Sequence, residues 1–238
     1  MPQTFLSVVI PTFNEEFRIN ETLSRVIEYL SAQDYQWEIV VADDGSVDQT
    51  THLVDPMIVN YPNIQVLHLP HRGKGWAVKN GMLAAKGEYR LLCDADLSVP
   101  IEQVERLLPP VGPDADIVLG SREASFAARI GEPSSRHLMG RAFNWLVTLL
   151  AVPGLADTQC GFKCFRAGAA GDLFPQITLD GFAFDVELFH LARKRGLTYS
   201  EVGVDWYYRS QSKVRPLQDS LAMTADLLKI RWRHRNFR

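Results

Sequence analysis

The sequence predicts an α/β fold with a mainly parallel sheet covered by helices on both faces. Two observations predict it. Short apolar runs rich in β-branched residues recur at Leu6–Ile10, Ile39–Ala42, Ile64–Leu69, Tyr89–Cys93 and Ile117–Leu119. Stretches with helical spacing lie between them, and strand, helix, strand in that order is the pattern of crossover connections.

The first run reads as a strand and not as a signal peptide, because no basic region precedes it and no small-residue cleavage site follows. Ile19, Leu23, Val26, Ile27 and Leu30 then fall on one helical face, with Asn20 as N-cap. After the second and third strands, a glycine-rich turn leads into a weaker helix marked by Ala77, Met82 and Ala85. The fourth strand is followed by a helix with Ile101, Val104, Leu107 and Leu108 on one side, ended by Pro109 and Pro110. Beyond the fifth strand the pattern loosens. Arg122–Arg136 reads as a mobile loop, His137–Ala151 and Phe184–Arg195 as helices, and Thr198–Tyr207 as a strand. From Pro216 the tail is helical, with an apolar side beside a basic end. With no repeat or linker-like break, 1–238 is read as a single domain: 1–121 a nucleotide-binding half, 122–238 an acceptor-binding half with a basic C-terminal helix.

The 238 residues carry 25 basic and 28 acidic side chains, a net charge of −3, which argues against nucleic acid as a partner. Five of the last ten residues, Lys229–Arg238, are Lys or Arg, so basic charge gathers at one end. The odd set Cys93, Cys160 and Cys164 excludes a disulfide framework and points to a reducing compartment. The longest uncharged stretch, Ala142–Ala156, has 15 residues. A spanning helix needs about 20 apolar residues.

Ligands of open α/β sheets bind outside the carboxyl ends of the strands. Four predicted strands end in polar groups: Pro11-Thr12-Phe13-Asn14-Glu15, Asp43-Asp44-Gly45-Ser46, Asp94-Ala95-Asp96 and Gly120-Ser121-Arg122. In an extended segment Asp94 and Asp96 would point the same way. Two carboxylates with substrate phosphates would suit Mg2+ or Mn2+. A plain turn capped by Asp96 is the alternative. His71-Arg72-Gly73-Lys74-Gly75-Trp76 matches neither an ATPase loop nor a dinucleotide fingerprint. Its amides and Lys74 could still meet a phosphate at a helix start, or form only a tight turn.

Taken in order, Pro11-x-x-Asn14-Glu15, Asp43-Asp44-Gly45-Ser46-x-Asp48-x-Thr50, Gly73-x-Gly75 and Asp94-Ala95-Asp96 resemble the inverting glycosyltransferases of family 2. The likeness continues through Gly120-Ser121-Arg122, Asp157-Thr158-Gln159-Cys160-Gly161-Phe162-Lys163 and Phe184-Asp185-Val186-Glu187-Leu188. Within the family the chain is similar to polyprenyl-phosphate hexose synthases, above all the dolichyl-phosphate β-glucosyltransferase branch.

The resemblance implies a GT-A fold, a nucleotide sugar and a divalent cation, Mg2+ or Mn2+. Pro11, Thr12, Glu15, Asp43 and Asp44 would hold the nucleotide. Lys74 and Asp94 would lie at the diphosphate, with Asp94 and Asp96 on the metal and Asp96 favoured as its direct ligand. Arg122, Arg136 and Arg209 match phosphate-contacting positions, and Asp185 would shape the sugar pocket or orient those arginines. Ser98 stands where mannosyl-transferring relatives often carry Gln, which favours UDP-glucose over GDP-mannose as donor. The implied acceptor is a polyprenyl or dolichyl phosphate. Other readings are a soluble acceptor, or a nucleotide-sugar-binding scaffold that has lost catalysis. A lipid acceptor implies a membrane surface or a membrane-anchored partner. The chain is therefore expected to be cytoplasmic and peripheral on the cytosolic face of a membrane, with Phe143–Leu155 and the basic tail as the candidate contacts.

Overall fold

The computed structural model describes residues 3–133 and 154–209, with residues 226, 229, 230, 232 and 233 of the C-terminal segment. The expected helix His137–Ala151, Arg136, and most of the apolar segment Phe143–Leu155 fall outside them. In chain order the elements are β1 (Leu6–Thr12), α1 (Ile19–Ser31), β2 (Trp37–Asp43), α2 (Thr50–Asn60), β3 (Ile64–His68), α3 (Lys74–Ala84) and β4 (Tyr89–Cys93). A 3-10 turn (Ile101–Arg106), β5 (Ile117–Ser121), β6 (Ala128–Ile130), β7 (Phe162–Arg166) and α4 (Ala167–Leu173) follow. The order ends with α5 (Phe184–Lys194), β8 (Tyr199–Gly203) and β9 (Asp205–Tyr207).

The main sheet has seven strands in the order β3-β2-β1-β4-β7-β5-β8. β7 runs antiparallel to both neighbours and the other pairings are parallel. The expected α/β architecture is therefore present, and β7 crosses between β4 and β5, so both halves of the chain share one sheet. β6 and β9 form a separate parallel pair.

Alternation along the strands loads two cores. Val8, Ile10, Ile39, Val41 and Leu91 pack with Leu23 and Val26 of α1 and Val54 of α2. Val9, Val40 and Leu92 pack on the other face with Val78 and Met82 of α3 and Phe189 of α5. Each large apolar side chain so buried contributes about 1.5–3 kcal/mol. Ile230, fully buried, joins the second core. The C-terminal segment is thus docked on the protein at this point, while Trp232 stands 67% exposed.

Several boundaries differ from the sequence reading. Asn20 does not cap α1. The helix starts one residue earlier, and the amides of Arg18 and Ile19 bond the Glu15 carbonyl. α2 has no counterpart in the expectations: Pro56 interrupts its pattern, and Asp48 starts it by accepting from the Thr50 amide at 2.9 Å. The helix expected after β4 is instead a short 3-10 turn. The strand expected over Thr198–Tyr207 breaks at Val204, sending β8 to the main sheet and β9 to the small one.

Candidate active site

The parallel strands bring the polar ends of β1, β2, β4 and β5 to one edge. Thr12 and Asp43 are register partners, and the Thr12 hydroxyl donates to Asp43 Oδ1 at 3.2 Å. Asp43 also accepts from the Ser46 amide (2.9 Å) and hydroxyl (2.5 Å). The loops after β1 and β2 zip together. Asn14, held at φ 53°, donates its amide to Ser46 Oγ and accepts from the Val47 amide, both at 2.8 Å. The Glu15 amide donates to Thr50 Oγ1 at 2.7 Å, and the Glu15 carboxylate pairs with Arg18 at 2.9 Å. Much of the motif written across these loops therefore serves to clamp one loop to the other.

Asp44 anchors the next loop. Its Oδ1 accepts from the Arg72 amide, and Oδ2 meets the Gly73 amide and His71 Nδ1 at 2.9 and 2.7 Å. The ring of His71 stacks on Phe13 at 4.1 Å, a feature no sequence pattern announced. Gly73 (φ 129°) is required here, because a Cβ would stand 2.6 Å from the Asp180 carbonyl oxygen. That packing delivers Lys74, the first residue of α3, to Asp94 at 2.7 Å. Burial works against the Lys74 ammonium, but Asp94, Asp185 and Asp96 together hold its pKa above the ordinary lysine value. One lysine thus lies in the field of all three carboxylates.

Asp94-Ala95-Asp96 is a turn and not the extended segment expected: the Leu97 amide bonds the Asp94 carbonyl, and Leu97 has φ 44°. Asp94 faces Lys74 and Gly161. Asp96 faces a cleft of about 340 Å3 bounded by α1 and residues 208 and 209. Asp96 Oδ1 accepts from the Ser98 amide at 2.9 Å. Among the described residues no three His, Cys, Asp or Glu side chains gather as a closed metal site. Two hard carboxylates at a half-exposed turn still fit Mg2+ or Mn2+, which bind through one or two carboxylates and complete their shells with water and substrate phosphates. Asp94 and Asp96 would hold such an ion.

Gly161 is glycine because an added Cβ would land on the Asp94 carboxylate. Gly161→Ala is expected to push Asp94 off Lys74 and weaken donor binding about tenfold, or about 1.4 kcal/mol, in a nucleotide titration. Unchanged affinity would show that the Asp94 position is immaterial.

Two expected residues turn inward. Arg122 closes on the buried Asp157 through Nε and a terminal nitrogen, both at 2.7 Å. Its first partner is thus a structural carboxylate and not an open phosphate position. Asp185 pairs with the fully buried Lys163 at 2.8 Å, so it orients lysines and not the arginines anticipated. Burial raises the Asp185 pKa, against the pull of Lys163 and Lys74. Arg209 does reach the cleft beside Asp96, together with Arg18 and Arg25. The buried thiols of Cys160 and Cys164 are pushed up to about 12 by burial, which leaves them inert at neutral pH. Sequence reasoning missed Lys163, Asp157 and Arg25. The first two lie in a quoted motif, but nothing in the pattern marked Arg25.

Comparison with known proteins agrees with this geometry. A family model described as glycosyl transferase family 2 matches residues 7–169. The chain is 36% identical over 97% of its length to a dolichyl-phosphate β-glucosyltransferase of Dictyostelium discoideum, covering 75% of that protein. It is 35% identical over 98% of its length to the Homo sapiens enzyme of the same name, covering 76%, and 33% identical over 96% to that of Saccharomyces cerevisiae, again covering 75%. In fold it is similar to glucosyl-3-phosphoglycerate synthase of Mycobacterium tuberculosis, crystallised with Mn2+, UDP and glucosyl-3-phosphoglycerate (TM-score 0.66, 23% identity, 96% of this chain and 78% of that one). These matches, together with the paired aspartates and Lys74 at the strand ends, show that the chain belongs to glycosyl transferase family 2, with a GT-A-like fold.

Proposed function

We propose that the protein transfers glucose from UDP-glucose to the phosphate of dolichol or a related polyprenol, with inversion at the sugar. The observation that carries this reading is identity of about a third, along nearly the whole chain, to dolichyl-phosphate β-glucosyltransferases from three distant eukaryotes. The site chemistry supports it. A bound divalent cation would offset the charge that develops on the departing diphosphate. Asp94 and Asp96 would hold that ion, and Lys74, beside Asp94, would meet the same diphosphate. Pro11, Thr12, Glu15 and Asp43 line the strand ends where the base and ribose would lie, and Asp44 fixes the loop that carries Lys74.

A phosphate acceptor is already anionic near neutral pH, so no strong base is needed. Asp185, committed to Lys163, fits a positioning role and not proton abstraction. The UDP preference draws further support from the structural neighbours, crystallised with UDP or UDP-glucose and Mn2+. Labelled UDP-glucose and GDP-mannose, each offered with dolichyl phosphate, test the reading. Label entering the organic phase from UDP-glucose alone is the expected result. Label from GDP-mannose, or only water-soluble product, would overturn it.

A lipid acceptor places the enzyme at a bilayer, on the cytosolic face or held by a membrane partner. No helix among the described residues is long and apolar enough to cross a membrane. The exposed Trp232 and the basic residues of the tail support peripheral attachment. Co-sedimentation with anionic vesicles at low salt is expected, lost at high salt as surface charge is screened. If anionic vesicles bring down no protein at low salt, direct attachment is wrong.

A further inference from the structure

The cleft beside Asp96 has a composition that the donor site does not use. Arg18, Arg25, Thr22 and Phe17 reach it from α1 and its approach, and Tyr208 and Arg209 from the far side. Arg18 is already paired with Glu15 at 2.9 Å, and the Thr22 hydroxyl donates to the Ala95 carbonyl at 2.6 Å, fixing α1 against the aspartate turn. Arg25 is half-buried and Arg209 exposed. Neither has a hydrogen-bond or ion-pair partner among the described residues. The acidic groups facing the same space are Glu21, exposed on α1, and Asp96, assigned to the cation. Phe17, at the rim, is 86% exposed. Unpaired guanidiniums converging on a cleft suit a phosphate, which they can grip in bidentate fashion. A bare phenyl ring beside them suits a ligand whose phosphate carries a hydrocarbon tail.

We propose that this cleft is the subsite for the acceptor's phosphate, held by Arg25 and Arg209, with Phe17 meeting the first apolar groups of the tail. The inference rests on the transferase reading above and adds Arg25 and Phe17, which no motif marks, to Arg209, which the resemblance already sets at a phosphate. Asp96 lines this cleft, so an acceptor phosphate held here would lie beside the aspartate turn. With Arg122 committed to Asp157, Arg25 of α1 and Arg209 take up part of the acceptor's charge.

The test uses the full chain with Arg25→Gln, Arg25→Lys and Phe17→Ser, each checked for an unchanged melting temperature. At saturating donor, Arg25→Gln is expected to raise the KM for a short polyprenyl phosphate about tenfold and leave the donor KM unaltered. Arg25→Lys should recover part of the loss, since it keeps the charge without the fork. Inorganic phosphate should compete with the acceptor in the wild type and more weakly in Arg25→Gln. Phe17→Ser should raise the acceptor KM and leave inhibition by phosphate unchanged, which identifies a tailed phosphate as the ligand. Unchanged acceptor KM and phosphate inhibition in Arg25→Gln would overturn the proposal. So would loss of binding to anionic vesicles with unchanged acceptor KM, which would assign the cleft to bulk lipid headgroups. A wild type that transfers glucose to no polyprenyl phosphate would refute the transferase reading instead, and competition of phosphate at Arg25 would then be read by direct binding of radiolabelled phosphate.

Discussion

Asp96→Ala is expected to abolish glucosyl transfer, with a fall of about 10²–10³-fold or more in kcat, the range seen when a preorganised electrostatic contact to a developing charge is removed. The side chain is half-exposed, and the only hydrogen bond it receives among those described is from the Ser98 amide at 2.9 Å. Its loss removes one turn contact, so the melting temperature should move by no more than a few degrees. Asp96→Asn separates the two roles. The amide oxygen can still accept from Ser98, preserving the turn, while the negative charge is gone. Both variants should therefore be inactive although both fold. Turnover within tenfold of wild type in either would remove Asp96 from the site chemistry.

The second large effect is on stability. Asp157→Asn should destabilise the fold by about 3–5 kcal/mol, as expected when one partner of a buried ion pair is removed, measured by urea denaturation. Asp157 is fully buried and receives Arg122 through its backbone amide as well as two guanidinium nitrogens. The Asp157 amide in turn donates to Glu201 at 2.9 Å, tying the segment to β8. Burial would raise the Asp157 pKa, but the charge and hydrogen bonds of Arg122 outweigh it and lower the carboxyl to about 2 from 3.8. Because the folded pKa is depressed, this contribution is present above about pH 4 and is lost as the pH falls toward 2. The wild type should lose stability over that interval, and Asp157→Asn should show a flatter acid limb. Equal slopes in the two proteins would place the acid sensitivity elsewhere.

What the sequence made legible follows from local physics. Apolar runs with β-branched residues announced β1–β5; parallel pairing carried Thr12, Asp43 and Asp94 to one edge, and two antiparallel pairings through β7 brought Ser121 there as well. β7 was hidden because Lys163, the second of its five residues, stands between Phe162 and Cys164. A lysine there reads as surface, yet it is buried and neutralised by Asp185. α2 was hidden by Pro56 and by a single strongly buried apolar position, Val54. The polar motifs of the first two loops were visible as a signature, but their division of labour was not. Asn14, Ser46, Asp48 and Thr50 spend their hydrogen bonds on one another's loops, a tertiary fact that spacing does not encode. The same holds for Arg122, whose partner Asp157 lies 35 residues away. Arg25 reaches the cleft only because Thr22 pins α1 against the aspartate turn.

The claim at the centre is that Asp94 and Asp96 together hold a divalent cation and, with it, the diphosphate of a nucleotide sugar beside Lys74. Titration of Mn2+ into the protein with UDP present, followed by electron paramagnetic resonance, tests it most directly. The wild type should bind one Mn2+ per chain with an affinity that UDP strengthens, and Asp96→Ala should lose that site while keeping its fold. Mn2+ binding that is indifferent to UDP, or unchanged in Asp96→Ala, would contradict it.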